Sequence, residues 1–280
     1  MSTSTFLYRG ATRLAFRGLL GFQGPDIDQA HRARVETPQG CLEAAVIEPR
    51  GAARGAIVLC HPFLKYGMHY FVRQGLHSAL AALGLRVVLF NFAGFGGSDV
   101  RGRPFVDDVL SITQWTRAAL PGLPCIHLGL SFGAYTLAQA AARAEVELCS
   151  VVLDSPPICV SRFLPKPLQS SVQRWLRASE QAARMGLEPI DEVLARLTTC
   201  HVCVLAGDGD RLLPSPDIAA LQKAVPIERF VAAGHMEPFK RDPQRYLASI
   251  ERALSRAQDA LLLEQGRLAS AGVRPSRPVR

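Results

Sequence analysis

The sequence predicts an α/β domain in which a mostly parallel sheet is covered by helices on both faces. From residue 41 onward, short apolar runs alternate with longer segments of helical period, which is the order of strands and crossover helices. The runs from residue 56 on are almost continuously apolar, as expected of strands buried on both faces. The length of 280 residues and the 48% hydrophobic share suit one domain with a large core.

The apolar runs give the predicted strands, and the Ala- and Leu-rich segments between them give the predicted helices. The strands are Cys41–Ile47, Ala56–Cys60, Arg86–Asn91, Cys125–Leu130, Ser150–Asp154, His201–Ala206 and Arg229–Ala232. The helices are Phe71–Leu83, Val106–Leu120, Phe132–Arg143 and Ile218–Ala224, and a further helix-like run extends from residue 239 to about Gln265.

Three segments depart from this alternation. Residues 157–199 open with prolines and are too long for a simple connection, so we predict a small helical lid inserted there into a domain that spans 31–265. Residues 1–30 form a basic N-terminal arm. Residues 266–280 have too little apolar content to pack, which predicts a disordered tail.

The formal net charge of +8 raises the question of nucleic acid partners. Seven arginines lie near the two ends, in 1–25 and 266–280, where there is no acidic residue. Without those seven charges the body carries only +1, so no continuous phosphate-binding face is predicted. We therefore expect no nucleic acid partner; the sequence makes no prediction of oligomeric state.

The cysteine usage favours a reducing compartment. Seven is an odd number, and several cysteines lie in or beside apolar strand-like runs, where a free thiol behaves as a small hydrophobe. Cys200 and Cys203 form a CxxC pair without a second pair, so neither a metal nor another cofactor is expected. With no apolar run near the ~18 residues of a membrane span, we predict a cytoplasmic protein without a transmembrane segment. The arginine spacing in the arm leaves organelle targeting or a membrane-surface helix as the alternative.

The segment Gly129–Gly133 matches the G-x-S-x-G pattern, in which a serine occupies a tight strand-to-helix turn. The context supports the match, because a predicted strand precedes Ser131 and a predicted helix follows it. The helix N-terminus would then face a developing oxyanion. A helix-capping serine is the simpler alternative.

A serine hydroxyl needs a base and a group that orients the base. Asp210 and His235 each come just after a predicted strand, so the chain order is serine, acid, histidine. Because the strands are parallel, the three side chains are expected at one edge of the sheet. Asp154, at the end of the preceding strand, and Asp208 are the alternatives for the acid.

On these residues the chain resembles the α/β-hydrolase superfamily over about residues 41–240. Two further stretches are similar to the family: Leu59–Phe63 resembles its loop after the third strand, and Asn91–Ser98 its glycine-rich turn. The resemblance implies that backbone amides of Phe132 and of Phe63 or Leu64 hold the oxyanion. Pro62 stands where the family usually has glycine and has no amide hydrogen, so the second donor has to be one of the two later residues.

The sequence thus predicts a metal-independent serine hydrolase that cleaves a carboxylic ester or thioester through an acyl-enzyme on Ser131. Its expected partner is a small-molecule acyl substrate. Phe163 and Trp175 of the lid, together with Met236, are candidates for substrate contact. An acyltransferase or carrier-linked thioesterase would need the same three side chains, and a catalytically silent binding protein could retain the fold.

Overall fold

The computed structural model describes residues 24, 26–38, 40–63, 66–99, 104–144, 148–158 and 188–270. Eight strands lie in one sheet: β1 Ala30–Thr37, β2 Gly40–Ile47, β3 Gly55–Cys60, β4 Leu85–Phe90, β5 Cys125–Leu130, β6 Ser150–Asp154, β7 His201–Gly207 and β8 Ile227–Phe230. The helices of the described ranges are α1 His69–Arg73, α2 Leu76–Ala82, α3 Phe105–Ala119, α4 Phe132–Arg143, α5 Ile190–Ala195, α6 Ser215–Leu221, α7 Pro238–Arg241 and α8 Pro243–Ser270.

The strand order across the sheet is β1-β2-β4-β3-β5-β6-β7-β8. Only β2 runs antiparallel to its neighbours, β1 and β4, and all pairs from β4 to β8 are parallel. The sheet is therefore mostly parallel, as predicted. The carboxyl ends of β5, β6, β7 and β8 meet at one edge, which brings the residues that follow these strands together.

Each face of the sheet has its own apolar core, because successive strand residues point to opposite faces. Val58 and Cys60 of β3 pack on the side of α3, α4, α5 and α6. Ile57 and Leu59, the alternate residues, pack on the side of α1, α2 and α8. Both faces are covered, which explains why the central strands read as continuous apolar runs.

Strand β1 was not predicted, and its sequence explains why. It forms an antiparallel pair with β2 at the edge of the sheet, and among its eight residues only Val35 is buried. A strand that is mostly solvated has no apolar run, so hydrophobic periodicity does not reveal it.

The predicted helix Phe71–Leu83 is two helices. Gly75 adopts φ 70° between α1 and α2, a left-handed conformation that a glycine adopts without steric cost and that ends a right-handed helix. At the other end, α8 continues through Ser270, five residues past the predicted end at Gln265 and into the predicted tail.

The described ranges contain little of the predicted lid and of the chain ends. Residues 157–158 and 188–199, with α5, belong to the predicted lid region, and the rest of it lies outside the described residues. So do 1–23 of the arm and 271–280 of the tail. None of the helices described is long and apolar enough to cross a membrane.

Candidate active site

Ser131 lies at a sharp turn between β5 and α4. Its φ of 53° and ψ of −116° are unusual for a residue with a side chain. Its N–H donates to the carbonyl oxygen of Asp154 at 2.8 Å, which fixes the turn to the neighbouring strand β6. The hydroxyl therefore projects from a strained, well-anchored backbone.

The two glycines of the motif are required by space. A Cβ on Gly129 would lie 2.6 Å from the Cα of Ala134, and one on Gly133 would lie 2.0 Å from the carbonyl oxygen of Cys60. Real Cβ atoms do not approach backbone this closely, so α4 can start this near β3 and β5 only because both positions lack a side chain. The G-x-S-x-G pattern is thus explained by packing.

The structure brings Ser131, His235 and Asp210 together across three strand ends. The Ser131 hydroxyl donates to Nε2 of His235, with 2.8 Å between Oγ and Nε2. The Nδ1–H of His235 donates to Oδ2 of Asp210, also at 2.8 Å. This tautomer follows because an ionised carboxylate only accepts hydrogen bonds.

The backbone holds Asp210 in place. Its Oδ1 accepts the N–H groups of Leu212 at 2.8 Å and Leu213 at 3.1 Å. Its side chain is 0% exposed and that of His235 is 17% exposed, while Ser131 is 3% exposed. Interactions among these groups are therefore only weakly screened by water, and the imidazole remains partly accessible.

The two alternative acids have other partners. Asp208 accepts from Nε of Arg229 at 2.6 Å on the protein surface. Asp154 is buried and accepts from the hydroxyls of Ser155 at 2.9 Å and Tyr246 at 3.0 Å. Of the three carboxylates, Asp210 is the one that contacts His235.

Burial raises the pKa of Asp154 to about 7, although its bonds to Ser155 and Tyr246 and the charge of His235 act in the opposite direction. The charge of Asp210 raises this pKa further. Asp154 therefore holds a proton at mildly acidic pH.

This raised pKa predicts how stability depends on pH. The folded protein binds the Asp154 proton more tightly than the unfolded chain does. The contribution of this proton to the free energy of unfolding is therefore largest below pH 4, and it is lost as the pH rises to about 7. Relative to Asp154→Asn, the wild type should lose roughly 2 to 3 kcal/mol of unfolding free energy between pH 5 and pH 8. Urea unfolding of both proteins at the two pH values measures the difference. A difference that does not change with pH would contradict the prediction.

The loop after β3 lies beside the start of α4. Nε2 of buried His61 accepts the N–H of Phe92 at 3.1 Å, so Nδ1 carries the proton and donates to the carbonyl oxygen of Pro62 at 2.8 Å. Burial lowers the pKa of His61 to about 4, so its ring is neutral at pH 7. Since N–H and C=O point in opposite directions across a trans peptide, the Phe63 amide hydrogen points away from His61.

The side chains of Phe63 and Phe132, whose amides are predicted oxyanion donors, contact each other in the described structure. The Phe63 ring lies edge-on to that of Phe132, with 5.1 Å between their centroids. Phe132 is the first residue of α4, where the amides have no carbonyl partner within the helix. Leu64 lies outside the described residues, so the choice between Phe63 and Leu64 stays a prediction.

A family model described as "Serine aminopeptidase, S33" matches residues 51–196, more than half of the chain. The chain belongs to this family of α/β hydrolases. No curated protein matches it.

Solved structures share the fold of this α/β hydrolase at low identity. An α/β serine hydrolase homologue from Coxiella burnetii is 22% identical, with 80% of this chain and 97% of that chain covered and a TM-score of 0.57. An esterase from Pyrococcus furiosus is 16% identical, with 84% of this chain and 95% of that chain covered and a TM-score of 0.63. Proline iminopeptidase from Mycobacterium smegmatis is 17% identical, with 82% of this chain and 99% of that chain covered and a TM-score of 0.57. These likenesses concern the fold, and with the family match they confirm the predicted fold class.

The glycine-rich turn of this hydrolase is held by two polar residues that the sequence analysis did not single out. Glu43 of β2 accepts the N–H of Gly97 and the amide of Asn91, both at 2.7 Å. Asn91 in turn accepts the N–H of Met68 at 2.9 Å. The pair fixes the loops after β3 and β4 to each other. A polar residue within a buried strand pattern is the signal that could have identified Glu43.

The predicted substrate contacts fall in different places. Phe163 and Trp175 lie outside the described residues. Met236 follows His235 directly and is partly buried against the core on the side of α8. In the described ranges no group of three or more His, Cys, Asp or Glu side chains is arranged to hold a metal ion.

Proposed function

We propose that this α/β hydrolase cleaves a carboxylic ester or thioester through an acyl-enzyme on Ser131. The observation that carries the proposal is the continuous hydrogen-bonded series from the Ser131 hydroxyl through His235 to Asp210, with 2.8 Å at each step. A capping serine would instead be expected to bond to the helix amides, and the α4 cap has no such side-chain bond.

In the first half of the reaction, Nε2 of His235 takes the proton from Ser131 as Oγ attacks the substrate carbonyl carbon. The negative charge develops on the carbonyl oxygen, where the amide of Phe132 and that of Phe63 or Leu64 would stabilise it. His235 then gives its proton to the leaving oxygen or sulfur atom. The bond to the leaving group breaks, and an ester on Ser131 remains.

In the second half, water attacks the acyl-enzyme, and His235 again takes and returns the proton. Asp210 stabilises the imidazolium that exists in both halves. It also selects the tautomer in which Nε2 is free to accept, because it binds Nδ1–H. No metal is needed for either half.

An apolar substrate group is supported by the surroundings of Ser131. Phe63 is 38% exposed, which is unusual for a phenylalanine, and it packs edge-on against Phe95 and Phe132. Its ring gives an apolar group a surface to pack on close to the reacting serine. We therefore expect preference for acyl or alcohol groups of apolar character.

Two substrate series test the proposal. Nitrophenyl esters of increasing acyl length should be hydrolysed, with a rate that rises from acetate to a longer chain. Aminoacyl nitroanilides, which report the peptidase activity in the family's name, should be cleaved far more slowly.

A fluorophosphonate probe with peptide mapping should label the peptide that contains Ser131. Inertness toward the esters and the probe would refute the proposal and favour a binding protein on the same fold.

A further inference from the structure

His235 lies in a strained four-residue turn, Gly234–Glu237, here called the histidine turn. The Glu237 N–H donates to the Gly234 carbonyl oxygen at 3.2 Å, which closes the turn. Of the two central residues only Met236 has a positive φ, of 58°. This is the pattern of a type II turn, which normally requires glycine or asparagine at that position. A methionine there makes the flipped central peptide costly.

The hydroxyl of Ser155 binds that central peptide. Types I and II differ by a flip of the peptide between the second and third residues, and its N–H belongs here to Met236. Ser155 Oγ accepts this N–H at 3.0 Å. The backbone of Ser155 is itself anchored, since its N–H donates to the Leu205 carbonyl oxygen at 2.9 Å and its φ is 51°. The acceptor is thus fixed to the end of β6 and to β7.

The single hydroxyl hydrogen of Ser155 is directed away from the turn. When Asp154 is ionised, this hydrogen is donated to its Oδ1 at 2.9 Å, while Oδ2 accepts from Tyr246 at 3.0 Å. Asp154, Ser155 and Tyr246 are all buried. With its hydrogen used in this way, the hydroxyl presents a lone pair to Met236.

We propose that Ser155 is a positioning residue that holds the histidine turn in its flipped state and thereby keeps the His235 ring at hydrogen-bond distance from Ser131. This inference rests on the proposed function, because it assigns Ser155 a part in the acylation of Ser131. Without the hydroxyl, the central peptide can return to the unstrained type I state. That flip changes ψ of His235 and breaks the hydrogen bond that ties the histidine turn to Ser155. The His235 ring is then held less firmly opposite Ser131, and small displacements of a catalytic group are costly.

Ser155→Gly is the main test, because it removes the hydroxyl and also relieves the positive φ at residue 155. The variant should fold as well as the wild type. We expect its rate of fluorophosphonate labelling at Ser131, and kcat for a nitrophenyl ester, to fall about tenfold, with KM within about twofold. Ser155→Ala should show the same loss.

Ser150→Ala is the matched control. Ser150 is a buried serine at the other end of β6, and its hydroxyl donates to the Ala253 carbonyl oxygen of α8 at 3.0 Å. Its loss should lower stability and leave the labelling rate unchanged.

A double-mutant cycle with Met236→Gly separates positioning from general stabilisation. Glycine adopts the positive φ without cost, so the histidine turn no longer depends on the hydroxyl. The effect of Ser155→Gly should therefore shrink from about tenfold to less than about threefold in the Met236→Gly background.

Three results would overturn the inference: a wild-type labelling rate in Ser155→Gly, an equal loss in Ser150→Ala, or an unchanged Ser155→Gly effect in the Met236→Gly background. A wild-type protein that is not labelled at all would instead refute the proposed function.

Discussion

Replacing Ser131 by alanine is expected to lower kcat/KM for nitrophenyl esters by about 10⁴- to 10⁶-fold and to abolish fluorophosphonate labelling. The variant loses the nucleophile, the hydroxyl that His235 Nε2 contacts at 2.8 Å. Losses of this size are typical when the serine is removed from a hydrogen-bonded serine, histidine and aspartate. The histidine then has no hydroxyl to activate. Steady-state kinetics and intact-protein mass spectrometry after labelling measure both effects.

The backbone at Ser131 adds a control for folding. Alanine retains the strain of φ 53°, whereas glycine relieves it. Ser131→Gly should therefore be as inactive as Ser131→Ala and about 1 kcal/mol more stable than it. Substantial activity in either variant would assign the nucleophile elsewhere. Equal stability of the two would argue against strain at the turn.

Gly133→Ala is expected to destabilise the fold by about 3 kcal/mol or more, although alanine is the better helix former. The new Cβ would lie 2.0 Å from the carbonyl oxygen of Cys60 and 2.7 Å from that of His61. Both neighbours are backbone atoms, so α4 has to move away from β3, and overpacking of this kind is costly. Ester hydrolysis should fall as well, since α4 carries the Phe132 amide. Urea unfolding and labelling kinetics measure these effects.

Gly266→Ala provides a control of the opposite sign. Gly266 lies within α8, where a Cβ would meet nothing within 4 Å. Alanine should therefore stabilise the protein by up to about 1 kcal/mol through helix propensity alone. A stable, active Gly133→Ala protein would show that the β3 loop can yield, and the packing explanation of the motif would then be wrong.

Short-range patterns predicted most of the fold. Strands β5 and β6 and helix α4 begin and end at the predicted residues, because a strand buried on both faces and an alanine-rich helix leave a strong local signal. Elements that depend on their neighbours were missed or misjudged. The solvated edge strand β1 is stabilised by pairing with β2, and the break between α1 and α2 depends on the conformation of a single glycine.

Asp154 shows the limit of sequence reasoning about the site. In the sequence it was an alternative to Asp210, since both follow apolar strands, and no local feature distinguishes their surroundings. The folded structure separates them: Asp210 accepts from His235, and Asp154 accepts from Ser155 and Tyr246. Tyr246 lies 92 residues away along the chain from Asp154. Such a partner has no spacing rule.

The sequence by itself determined the order of strands and helices, the turn that carries Ser131, and the order of serine, acid and histidine, because periodicity and glycine placement are local properties of the chain. Only the tertiary structure decided which carboxylate contacts His235, where the His61 proton lies, and which hydroxyl supports the histidine turn. Those outcomes depend on distances between residues far apart in sequence, and the packing of helices on both faces of the sheet fixes such distances.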